Sequence, residues 1–86
     1  MHELGVALEV CRMTEARLGA DGVAAVRAIG LEVGDEAGVE VGNLQFCLEA
    51  LLAEPPFAGA RPVILRRAGD VLRLAFLEVD DGCSND

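Results

Sequence analysis

The chain has 86 residues, enough for one domain with one hydrophobic core and too few for two. Hydrophobic residues make up 52% of it, yet Trp and Tyr are absent and Phe46, Phe57 and Phe76 are its only aromatics, so the core is built from Leu, Val and Ala. Fifteen acids against seven bases, all arginine, give a formal net charge of −8, which argues against a nucleic-acid partner and favours a cation or a basic surface.

From Leu4 to about Leu18 the positions Gly5, Glu9, Arg12 and Ala16 fall on one narrow stripe at helical spacing. Leu4, Val6, Leu8, Val10, Cys11, Met13 and Leu18 cover the rest, predicting a helix packed on most of its circumference. Gly19 and Gly22 bracket its end. Over Val23 to Val33 the period shifts toward two, with Ile29, Leu31 and Val33 alternating with Gly30 and Glu32, the pattern of a strand. Residues 34–38, Gly-Asp-Glu-Ala-Gly, break that strand, and Asp35 and Glu36 read as turn residues. Val41, Leu44, Cys47, Leu48, Leu51 and Leu52 then return to helical spacing, with Glu40 or Asn43 as the cap.

Pro55 and Pro56 end the second helix. Val63 to Arg67 and Val71 to Val79 are strand-like runs separated by Ala68-Gly69-Asp70, which predicts a tight hairpin. The order helix, strand, helix, strand, strand gives an α+β fold, two helices on one face of a three-stranded sheet, spanning residues 1–80. Residues 81–86 read as a disordered acidic tail. No apolar run approaches the ~18 residues of a membrane span and no basic leader precedes an apolar stretch, so the expected location is the cytoplasm, with no membrane partner. Cys11, Cys47 and Cys83 are widely spaced with no C-x-x-C, so neither a disulfide framework nor a thiolate zinc site is encoded.

The opening Met1-His2-Glu3 contains the sole histidine. A free amine on Met1, the amide nitrogen of His2 and the Nδ1 of its ring can close a five- and a six-membered chelate, three nitrogens in nearly one plane. Such a set favours Ni(II) and Cu(II), which gain enough ligand-field energy to displace an amide proton, over Zn(II), which prefers a tetrahedron. The processing peptidase removes methionine only ahead of small residues, so His2 is expected to preserve Met1 and its amine. Glu3 can add its carboxylate or backbone as a fourth donor, or accept the ring N–H. Read structurally, the same triplet is a surface histidine beside an acid whose charge suits a helix start.

Over most of its length the chain resembles the nickel-insertion accessory proteins HypA and HybF of hydrogenase maturation. The resemblance rests on the MHE start before an amphipathic helix, the Val33-Gly34 strand end, Val39-Glu40 before the second helix, the Leu44-Gln45-Phe46 pattern, and the small-residue turn Phe57-Ala58-Gly59-Ala60. It implies two helices on a mixed three-stranded sheet and Ni(II) as cargo, held by the Met1 amine, by the backbone and ring of His2 and by Glu3. Glu40 matches an acidic position of the family, as ligand or as support. The family carries a zinc domain with two C-x-x-C pairs between its last two strands. Here residues 66–70, Arg-Arg-Ala-Gly-Asp, join the strands directly, so no structural zinc is expected.

The resemblance further implies a metallochaperone rather than an enzyme, with a nickel-enzyme precursor subunit or a maturation GTPase as partner. The alternative is a regulatory or structural interaction module that kept the fold without metal delivery and dimerises through a sheet edge. Catalysis finds no support: no Ser/His/Asp set, phosphate loop or paired acids stand out.

Overall fold

The computed structural model describes residues 2–57 and 59–80. Their elements run α1 (Glu3–Val23), β1 (Val26–Gly34), α2 (Val41–Leu52), β2 (Arg61–Arg67) and β3 (Leu72–Val79). The sheet order is β2-β1-β3, with β1 and β2 parallel and β1 and β3 antiparallel, an α+β fold with a mixed sheet as expected.

One expectation fails: Ala68-Gly69-Asp70 does not turn a hairpin, because β2 and β3 lie on opposite sides of β1. Parallel pairing of β1 with β2 follows from the α2 crossover between them, and the remaining free edge of β1 receives β3. The link between them therefore passes across the end of β1. It is fixed there by backbone hydrogen bonds from the N–H groups of Gly34 to Val71 O (2.7 Å), Asp35 to Arg67 O (2.9 Å) and Glu36 to Gly69 O (2.7 Å). Asp35 is more than a turn residue, since its Oδ1 accepts from the Gly69 N–H at 2.9 Å. A Cβ on Gly34 would stand 2.1 Å from the carbonyl oxygen of Gly69, so this crossing requires glycine.

Helix α1 also departs from expectation. Its buried face is Ala7, Val10, Cys11 and Thr14, while Leu4 and Leu8 are 52% and 51% exposed, so the helix is covered on one side rather than on most of its circumference. A two-layer fold offers α1 only the sheet beneath and α2 beside it. Thr14 is fully buried, and its hydroxyl donates to Val10 O at 2.8 Å. Gly19, at φ +75°, breaks the helix where the sequence places its end, and one further turn carries the chain to Val23, which is helical and buried rather than the start of the strand.

The core lies between helices and sheet, with Ile29, Leu31 and Val33 of β1 against Leu44, Leu48 and Leu52 of α2 and Ala7, Val10 and Cys11 of α1. Beyond the sheet, Glu32 accepts from the Nε of Arg73 (2.6 Å) and of Arg67 (3.3 Å), so one carboxylate ties both flanking strands to β1. Among the described residues no helix is long and apolar enough to cross a membrane. The expected tail, residues 81–86 with Cys83, lies outside the described residues.

Candidate metal centre

His2 is the N-cap of α1, in extended conformation (φ −78°, ψ 116°), and its carbonyl accepts the first helical bond, from Val6 N–H at 3.1 Å. Its side chain makes no capping hydrogen bond and is exposed, which leaves the ring available to a ligand. Because His2 precedes the first helical residue, its amide N–H lies outside the intrahelical ladder. Removing that proton breaks no helical bond. Met1, whose amine the chelate requires, lies outside the described residues.

Glu3 opens the helix and is turned toward α2. Its Oε2 accepts from the Glu40 backbone N–H at 2.9 Å and its Oε1 from the Asn43 side-chain amide at 2.9 Å. The Glu40 N–H first and the Asn43 amide second hold the Glu3 carboxyl below its ordinary range, by hydrogen-bonding its charged form. Glu40 is in turn the N-cap of α2: its carboxylate accepts from the N–H groups of Asn43 (2.6 Å) and Gly42 (3.4 Å). The structure thus brings His2, Glu3 and Glu40 to one corner of the molecule.

Among the described residues no three His, Cys, Asp or Glu side chains converge as a metal cluster. Cys47 packs half-buried against the core, and Cys11 is buried, its thiol pushed up by desolvation first and by Glu15 second. Neither joins the corner.

Two features escaped the sequence. Asn43 was readable as a cap residue, but its bond to Glu3, 40 positions away, has no local signature. Beside His2 there is also an open groove of about 650 Å³, between Val6, Val10 and Met13 of α1 and Leu72 and Leu74 of β3. It exists because α1 leaves the edge strand incompletely covered, and strand periodicity gives no hint of that.

The family described as "Hydrogenase/urease nickel incorporation, metallochaperone, hypA" matches residues 1–72, from the opening triplet to the first residue of β3. A hydrogenase maturation factor HypA from Azotobacter vinelandii is 36% identical over 69 residues, covering 80% of this chain and 61% of its own length. The HypA of Streptomyces avermitilis is 44% identical over 61 residues, covering 70% and 47% respectively, and that of Albidiferax ferrireducens is 32% identical over 78 residues, covering 91% and 69%. This chain spans roughly half to two thirds of the length of these relatives. With the family matched across both helices and the first two strands, the chain belongs to the HypA family of nickel-incorporation metallochaperones.

Proposed function

We propose that this chain is a nickel carrier that binds one Ni(II) at its amino terminus and passes it, without covalent chemistry of its own, to the precursor of a nickel enzyme such as a hydrogenase. The donors are the Met1 amine, the His2 amide nitrogen and the His2 Nδ1, with Glu3 and Glu40 adjoining. A maturation GTPase or the precursor subunit receives the metal, in the cytoplasm. The observation that carries this reading is His2 itself: an exposed, uncapped imidazole on a residue whose amide precedes the helical ladder. With four residues between Arg67 and Leu72, the connection that holds the family's zinc domain has no room for it, so we expect no structural zinc here.

Calorimetry and visible absorption during Ni(II) titration of untagged protein test the site. One tight site with the absorption of a planar nitrogen set is expected. His2→Ala and a version with one glycine added before Met1 should both lose it, the second because the amine no longer adjoins the His2 amide. Affinity should fall with falling pH, since the amine, amide and imidazole must all shed protons to bind. Unchanged affinity in His2→Ala would overturn the assignment. Cu(II) should bind the same set more tightly in competition, by the Irving–Williams order.

A second reading has its own observation. Leu4, Leu8 and Phe46 are exposed large hydrophobics, Phe46 at 68%, and β2 and β3 are both edge strands. An interaction module that docks or dimerises through these surfaces would leave His2 dispensable.

A further inference from the structure

Between the amino-terminal segment and α2 lies a closed circuit of hydrogen bonds. Asn43 contributes twice: its side-chain amide donates to Oε1 of Glu3 at 2.9 Å, and its backbone N–H donates to Oε1 of Glu40 at 2.6 Å. Glu40 closes the circuit by donating its backbone N–H to Oε2 of Glu3 at 2.9 Å. Both oxygens of Glu3 are thus already engaged, and by groups of α2 rather than by the ring of His2.

A carboxylate held from two sides by a helix start is a fixed point, and His2 is one residue away from it. The direction in which His2 leaves α1 is consequently set by α2. Exposed termini otherwise fray, and a chelate formed by a frayed terminus must first collect its donors into one plane. Pinning Glu3 reduces the conformational freedom lost on binding.

We propose that Asn43 is a positioning residue for the amino-terminal nickel site, acting through Glu3, whose carboxylate serves as a strap to α2 rather than as a metal ligand. This inference rests on the nickel reading above. It assigns a task to a residue that touches neither the metal nor its nitrogen donors, and it removes Glu3 and Glu40 carboxylates from the coordination sphere.

Exchanging the polarity of one hydrogen bond separates the two roles of Glu3. Asn43→Asp keeps the size and the backbone N–H that Glu40 accepts, but replaces the donor to Glu3 with an acceptor. It should weaken Ni(II) binding about tenfold, the lower end for groups that orient metal ligands from outside, with the visible band of the planar nitrogen set unmoved. Glu3→Gln alone should weaken binding by a similar factor. In the double variant Glu3→Gln/Asn43→Asp, the new amide at position 3 can accept from the Glu40 N–H through its oxygen and donate to the new carboxylate at position 43. The strap is rebuilt without a carboxylate at position 3, and affinity should return to within about twofold of the unaltered protein.

Far-UV circular dichroism checks that each variant is folded. Recovery in the double variant with an unmoved band supports the strap. A band that shifts in Glu3→Gln and stays shifted in the double variant makes the carboxylate a ligand and overturns it, as does an Asn43→Asp affinity equal to that of the unaltered protein. If the unaltered protein itself shows no tight site, the nickel reading fails on its own. The strap is then decided in metal-free protein by the NMR order parameter of the His2 amide, which falls in Asn43→Asp and recovers in the double variant if the strap holds, and is unchanged throughout if it does not.

Discussion

Two junctions hold distant parts of this chain together, and they are built from different materials. At the amino-terminal corner, α1 is tied to α2 through the side chain of Glu3, which accepts from the Asn43 side-chain amide and the Glu40 backbone N–H, both at 2.9 Å. At the end of β1, the link between β2 and β3 is tied by backbone groups of Gly34, Asp35 and Glu36 bonding to those of Val71, Arg67 and Gly69. Side-chain junctions change with a single substitution and leave the main chain in place. Backbone junctions are indifferent to most side chains but collapse when a Cβ is forced into them. The amino-terminal corner is therefore the adjustable one, and the crossing is the structural one.

The largest effect that distinguishes them is expected for Gly34→Ala. Its Cβ would meet the Gly69 carbonyl oxygen at 2.1 Å and the Val71 nitrogen at 2.8 Å, both main-chain atoms without a rotamer to escape through. Destabilisation of about 3 kcal/mol, lowering Tm by more than about 10 °C, should appear in thermal unfolding. A Tm unchanged by this substitution would mean that the crossing is loose and the contrast false. Asp35→Ala removes one side-chain acceptor from the same crossing and leaves its backbone bonds intact, so a loss of about 1 kcal/mol is expected by denaturant titration. A loss as large as that of Gly34→Ala would show the crossing to depend on side chains after all.

The smallest effect sharpens the comparison by acidification. Glu32 is the titrating tie near the crossing: hydrogen bonding from Arg73 first, aided by the charges of Arg73 and Arg67, lowers its carboxyl below the ordinary 4.5. A carboxyl lowered in the folded state stabilises above 4.5, and that contribution is lost as pH falls through the lower value. As these groups are solvent-screened, the loss should be slight. Amide exchange at Gly34, Asp35 and Glu36 should stay slow as the pH falls through that lowered value and the Glu32 tie to Arg67 and Arg73 is lost. Fast exchange there would show that the carboxylate, not the backbone, holds the crossing.

Much of this was legible in the residues. Helical spacing located both helices, alternation located β1, and Glu40 was recognisable as a cap. The sheet order was misread because Ala68-Gly69-Asp70 between two apolar runs has the local chemistry of a hairpin. What decides pairing is not local: α2 between β1 and β2 makes them parallel neighbours, and β3 takes the edge that is left. The apolar content of α1 overstated its burial because two layers cannot surround a helix, so Leu4 and Leu8 face outward. At the site, His2 and Glu3 could be named from the first three residues. The turn of Glu3 toward Asn43 could not, since it depends on how two helices 40 residues apart come to start side by side.

The crossing of β1 also determines where this fold can grow. β1 and β2 both end there, β3 begins there paired through Leu72 with Val33, and the same stretch of β3 lines the groove that His2 borders. Chain added between Arg67 and Leu72 would emerge at that end of the molecule. The fold thus has a seam at the end of β1 where chain can be added, and the seam opens beside the groove that His2 borders.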